Sequence, residues 1–185
     1  MRRTILCTAL MILMLAAALP LKAQETTPLE QPILISSAGQ SADTKLVEML
    51  AKKQKLDAKA VTMAGVSDLD GIKTLIIVPG FSSKGLGAAG VSQQQEEERV
   101  TALLKAAADK KIPVVMVHIG GKARRGAQSD VFNKMAADQA VHMVVVEQGD
   151  EDKYFSNIAA EKKVPIDLVP KIVDAATPLG NLFAK

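Results

Sequence analysis

The sequence predicts a single doubly wound α/β domain, with a mainly parallel sheet of five or six strands and helices on both faces. Four apolar runs, Ile33-Leu34-Ile35, Leu75-Ile76-Ile77-Val78, Val114-Val115-Met116-Val117 and Met143-Val144-Val145-Val146, are continuous rather than alternating, as strands covered on both faces require. Helical patterns separate them, so the order reads β, α, β, α throughout. Enough chain is present for one domain with a sizeable core.

Each element has its own warrant. After the first run, a helix over 41–53 would bury Leu46, Val47 and Leu50. Ala58 to Met63 is a weaker strand, and so is Pro165 to Val169; both are expected toward the edges. Val100, Leu103, Leu104 and Ala107 fall at i, i+3, i+4 and i+7 behind a polar Glu96-Glu97-Glu98-Arg99 approach. Ser92 with Gln95 has the spacing of a capping box at the start of that helix. Further helices are expected over 129–139, over 152–163 and near the C-terminus. A flavodoxin-like strand order 2-1-3-4-5, with any sixth strand at the edge, satisfies these elements.

The N-terminus reads differently. Arg2-Arg3, an apolar run from Ile5 to Leu19 and a small residue at Ala23 predict a secretory signal peptide over 1–23, cleaved after Ala23. Its core is shorter than the ~20 residues of a membrane span. Residues 24–32, polar and proline-containing, are expected to form a disordered lead-in to a domain over 33–185. The expected location is therefore periplasmic or secreted, with no membrane span after cleavage. Arg2, Arg3 and Lys22 are the only charges in the leader, so 20 of the 23 basic residues remain against 20 acidic ones. That neutrality excludes nucleic acid as the expected partner. Cleavage also removes Cys7, the one cysteine, and with it any disulfide or thiol chemistry in the mature chain.

In doubly wound sheets, ligands bind beyond the carboxyl ends of the strands, where the strand order reverses. Here the loops leaving the first and third strands, Ser36-Ser37-Ala38-Gly39-Gln40-Ser41 and Pro79 to Val91, are rich in glycine and hydroxyl groups. Gly85-Leu86-Gly87-Ala88-Ala89-Gly90 spells GxGxxG. Six residues separate it from Val78, and the helix is expected only after Gly90, so the spacing of a dinucleotide fingerprint fails. The Walker pattern fails too, for want of its lysine. What is left is a long loop of small residues, either a wall whose amides approach a ligand or a mobile surface loop.

The 36–41 loop resembles the phosphate loop of flavodoxins, with glycine fourth and hydroxyl residues first and last. That resemblance implies that Ser36, Gly39, Gln40 and Ser41 contact an anionic group, and it makes FMN the alternative cofactor where none is otherwise predicted. Ala38 lacks the third-position hydroxyl, and Phe81 is the only aromatic residue in the two switch-point loops. Capping of the following helix by Ser41 is the competing explanation. Over the whole length after the leader, "ILISSAGQSAD", "TLIIVPGFSSKGLGAAG", "HIGGKARRGAQSD" and "VVVEQGDEDKYFSNIA" also resemble an uncharacterised family of exported bacterial α/β proteins, a domain of unknown function. The resemblance implies that these loops belong to one fold and implies no activity.

The candidate ligand-binding set is therefore Ser36, Ser37, Gly39, Gln40, Ser41, Phe81, Ser82, Ser83, Lys84, Gly85, His118, Gly120, Gly121, Arg124 and Arg125. Guanidinium groups suit a carboxylate or phosphate, although Asp130 is a rival partner for the arginines. His118, at the carboxyl end of a buried strand, is either a hydrogen-bonded structural residue or, if the protein is an enzyme, its acid or base. His142 begins the next strand at the opposite edge, which disfavours a two-histidine metal centre. Glu147, Asp150, Glu151 and Asp152 read as a charged helix start. No GxSxG elbow is present, since Lys84 stands where glycine is needed. The expected function is an exported non-catalytic domain binding a small anionic or polar molecule at the carboxyl edge of the sheet. A hydrolase or transferase using His118, an FMN protein and a partner-binding accessory domain are the alternatives.

Overall fold

A computed structural model describes residues 27–184. The predicted leader, its cleavage point and residues 24–26 lie outside the described residues. Six parallel strands form one sheet in the order β2-β1-β3-β4-β5-β6. They are β1 (Ile33–Ala38), β2 (Ala58–Ala60), β3 (Thr74–Pro79), β4 (Val114–His118), β5 (Ala140–Val146) and β6 (Ile166–Val169). The order reverses between β1 and β3, and the weaker strands β2 and β6 take the edges, as expected.

Residue parity along each strand divides the core in two. Leu34, Leu75, Ile77, Met116, Met143 and Val145 face α3 (Gln93–Asp109), α4 (Ala127–Gln139) and α5 (Tyr154–Lys162). Ile33, Ile35, Ile76, Val78, Val115 and Val117 face α1 (Asp43–Lys53) and α6 (Ala176–Asn181). Burial on both faces is why these strands are apolar without interruption. The Ser92–Gln95 box caps α3 reciprocally, at 2.8 and 3.2 Å.

Three expectations are corrected. Residues 27–32 are not a disordered lead-in: Leu29 N donates to Leu182 O at 2.7 Å, Leu29 bridges to Phe183, and Glu30 O accepts from the Thr74 hydroxyl. Those bonds offset the entropy of ordering the segment. Leu46 is exposed, because α1 turns Thr44, Val47, Leu50 and Ala51 inward instead.

The third correction concerns the glycine string, which is not an open loop. Ser83–Ala89 is a helix, α2, capped by Ser82, whose hydroxyl accepts from Gly85 N. A Cβ at Gly85 would lie 2.2 Å from Gln40 O, so glycine lets α2 press onto the β1 loop. Gly90 ends α2 in the left-handed region at φ 70°. The glycines serve backbone packing and helix termination.

Candidate functional site

The loops after β1 and β3 do meet at the carboxyl edge. Gly80 N donates to Ala38 O and Ser82 N to Gly39 O, both at 2.8 Å. The hollow expected between them is filled by the chain itself. Glu96, in the first turn of α3, turns its carboxylate onto the β1 loop. One oxygen accepts from Gly39 N at 2.9 Å and the other from Gln40 Nε2 at 2.8 Å. Arg99, one turn further on, binds both oxygens at 2.8 and 2.7 Å. Its remaining donors reach Ala64 O and Ser37 O at 2.7 and 2.6 Å. The Glu96 side chain is fully buried and Arg99 is 13% exposed.

Ser36, Ser37, Gly39, Gln40 and Ser41 are accordingly all buried. The Ser36 hydroxyl donates to Thr62 O at 3.2 Å, and the Ser37 hydroxyl is buried without a partner. Ser41 Oγ accepts from Asp43 N at 3.2 Å, while the N-cap position of α1 is Ala42, which makes no side-chain cap. Gly39 N and the Gln40 side-chain amide, two of the donors that an FMN phosphate would need in this loop, are bonded to Glu96.

Arg124 closes the crevice from above. Its Nε donates to Ser41 Oγ at 3.1 Å and lies 3.4 Å from Asp43 Oδ2, and its Nη1 donates to Phe81 O at 3.2 Å. The aliphatic stem lies across Gly80 and Gly120, where an added Cβ would come within 2.8 and 2.0 Å of it. Phe81 packs inward and its N donates to Ser129 Oγ. Ser83 and Lys84 are exposed on α2 and take no part in the crevice.

His118 is also removed from any solvent-facing role. It is fully buried, with Nε2 3.1 Å from Arg124 O, Nδ1 unpartnered and its ring 4.7 Å from that of Phe155. A Cβ at Gly149 would sit 2.7 Å from the ring, so the glycine makes its room. Burial pushes the imidazole below its usual pKa, against the pull of the Arg124 carbonyl. The enclosed ring braces β4 against the loops that follow. His142 is in register with Val115, at the other end of the sheet.

Arg125 turns the opposite way from Arg124. Its guanidinium binds Asp152 through two bonds of 2.9 Å, Asp130 at 2.8 Å and Gly149 O at 2.5 Å, and stacks 4.3 Å from the Tyr154 ring centre. The Asp152 pairing raises the arginine pKa, and Arg125 in turn holds the Asp152 carboxyl down at about 2. Burial would raise Asp130, but its bonds from Arg125 and Asn133 outweigh that and lower it. This locked node floors an open cavity of about 330 Å³ between the loops after β4 and β5. Lys122, Gln148 and Glu151 complete the rim, with Lys122 2.7 Å from Glu151. Gly121 lies against Gln148 behind it.

The family model described as domain of unknown function (DUF6305) matches residues 30–183, nearly the whole described chain. The chain belongs to the DUF6305 family. None of the curated proteins matches this DUF6305 domain. Among solved structures, a GDSL-like lipase from Bacteroides thetaiotaomicron is similar at 9% identity and TM-score 0.35, covering 76% of this chain and 72% of its own. The SGNH-hydrolase family esterase AlinE4 is similar at 15% identity and TM-score 0.30, covering 84% of each chain. Likeness at these values carries no argument about the chemistry of the DUF6305 domain, whose fold rests on its own strand order.

Sequence reasoning missed Glu96 and Arg99. A signal was there: Glu96 stands four residues before Val100 and seven before Leu103, on the stripe that α3 buries. An acidic residue on an apolar stripe needs a buried partner. Reading it as part of a solvated approach hid the residue that occupies the site.

Proposed function

We propose that this chain is an exported, non-catalytic binding domain that holds a small polar solute in the cavity between the β4 and β5 loops. The observation that carries the reading is the preorganised, mixed-charge lining of that cavity. Arg125 is fixed by Asp130, Asp152 and Gly149 O, while Lys122, Gln148 and Glu151 stand at the rim. A site whose charged groups are already ordered loses little entropy on binding. Two cations face three carboxylates, so the lining favours a solute carrying donors as well as acceptors, such as an amino-acid zwitterion, over a simple anion.

Burial of His118 argues against that ring as an acid or base open to solvent at this edge. Export rests on the basic, apolar and small-residue pattern of residues 1–23.

The test is calorimetric titration of the protein with amino acids, dicarboxylates and inorganic phosphate. Saturable binding of a zwitterion, weakened about tenfold by Lys122→Ala or Gln148→Ala (about 1.4 kcal/mol), is the expected result. No binding by any of these solutes, or binding indifferent to both substitutions, overturns the reading.

A further inference from the structure

At the other end of the sheet, where the strands begin, two cavities share a wall. Residues Thr27 to Leu29 cross this edge as a strap tied to the C-terminal segment through the Leu29–Leu182 bond and the Leu29–Phe183 bridge. On one side of the strap is a cavity of about 320 Å³ walled by Pro28, Leu29, Pro113, Val141 and Leu182, with His142 among them. On the other is a cavity of about 410 Å³, walled by the same Pro28, Leu29 and Pro113 but carrying Lys73, Lys110 and Lys111. The two halves abut, one apolar and one cationic.

Each half holds groups that the fold leaves uncompensated. Val141, on the wall of the first cavity, is 47% exposed. Lys110 is paired with Asp70 at 2.8 Å and Lys73 lies 4.0 Å from Glu30, but Lys111 has no ion-pair partner among the described residues. His142 is held by Asp167, with Nε2 2.7 Å from Oδ2, and its Nδ1 has no hydrogen-bond partner among the described residues. An oriented imidazole with one open nitrogen is a placed polar group in an apolar wall, the usual composition of a small-molecule site.

We propose that this edge binds an amphipathic organic acid, its apolar body against Val141, Leu182 and Pro113 and its carboxylate toward Lys111. A plain anion leaves Val141 uncovered, and a neutral apolar molecule leaves Lys111 unpaired. An acid with an aliphatic or aromatic body answers both. The site is independent of the proposed polar-solute cavity, which lies at the opposite edge of the sheet.

Octanoate is the probe, titrated into the protein and followed by amide chemical shifts, with acetate and 1-octanol as controls. Saturable binding is expected, with shifts at Val141, His142, Leu182 and Lys111 and with acetate and 1-octanol each at least threefold weaker. Val141→Asp is expected to weaken octanoate at least tenfold. Lys111→Gln weakens it at least threefold while leaving 1-octanol unchanged. Gln148→Ala, at the other edge, leaves octanoate binding as it was. Absence of saturable binding at millimolar octanoate overturns the proposal. So does 1-octanol or acetate binding as tightly as octanoate, or octanoate binding unmoved by both wall substitutions in variants whose amide spectra show them folded.

Discussion

Replacing Glu96 with alanine tests whether the switch-point cradle is an internal ion-pair site. Its carboxylate accepts four bonds of 2.7 to 2.9 Å, from Gly39 N, Gln40 Nε2 and twice from Arg99. Hydrogen bonds to charged groups are each worth ~1.5–3 kcal/mol, but their sum overshoots because burying the carboxylate costs several kcal/mol in return. Breaking a buried pair by removing one partner typically costs ~3–5 kcal/mol, since the other charge stays buried alone. Arg99 keeps Ala64 O and Ser37 O as acceptors, which places the expected loss near the lower end, about 3 kcal/mol. Denaturant unfolding at neutral pH with an unchanged m-value measures it. Arg99→Met in the same background supplies the cycle: the double variant should lose less than the two single losses added. The vacated cradle should also take a small carboxylate, so formate should raise the melting temperature of Glu96→Ala more than that of the wild type. A loss under about 1 kcal/mol, the scale of an exposed pair, together with no formate effect, refutes the reasoning.

Other outcomes follow from the same geometry. Gly149→Ala drives a methyl against the His118 ring, where the Cβ would lie 2.7 Å from Cε1 and Nδ1; an overpacking loss of ~1–3 kcal/mol is expected by thermal unfolding. Gly85→Ala meets the backbone carbonyl of Gln40 and should cost at least as much, while Gly87→Ala, with nothing within 4 Å of the added Cβ, should be neutral or slightly stabilising by helix propensity. Burial holds the folded pKa of His118 below the ordinary 6.5. Its contribution is therefore complete above that pH and drains as pH falls, by at most about 1.4 kcal/mol per pH unit. His118→Gln should flatten the stability profile just below pH 6.5. Glu48, held down at about 2 chiefly by Lys52, contributes stability present above about 4.5 and lost toward pH 2, a loss that Glu48→Gln should remove.

The sheet was legible because periodicity reports burial on two faces, and α3 because its apolar stripe and capping box agree with each other. Residues 27–32 were not, since composition shows polarity and cannot show that Leu29 will pair with Leu182 across the whole chain. The string at Gly85 misled for a different reason: glycine serves both anion cradles and close helix contacts, and only the proximity of Gln40 O decides between them. The same limit applied to the site. Hydroxyl, glycine and arginine residues do converge at the carboxyl edge, as the topology implied. Their partners turned out to be Glu96 and each other, and the sequence places Glu96 almost sixty residues from the loop it fills.

Amide chemical-shift mapping of the protein during titration with a panel of amino acids tests the central claim most directly. The account predicts shifts clustered at Lys122, Gln148 and Glu151, with Gly39, Gln40 and Ser41 unmoved. Shifts centred on Gly39 to Ser41, with the β4 and β5 loops silent, would contradict it.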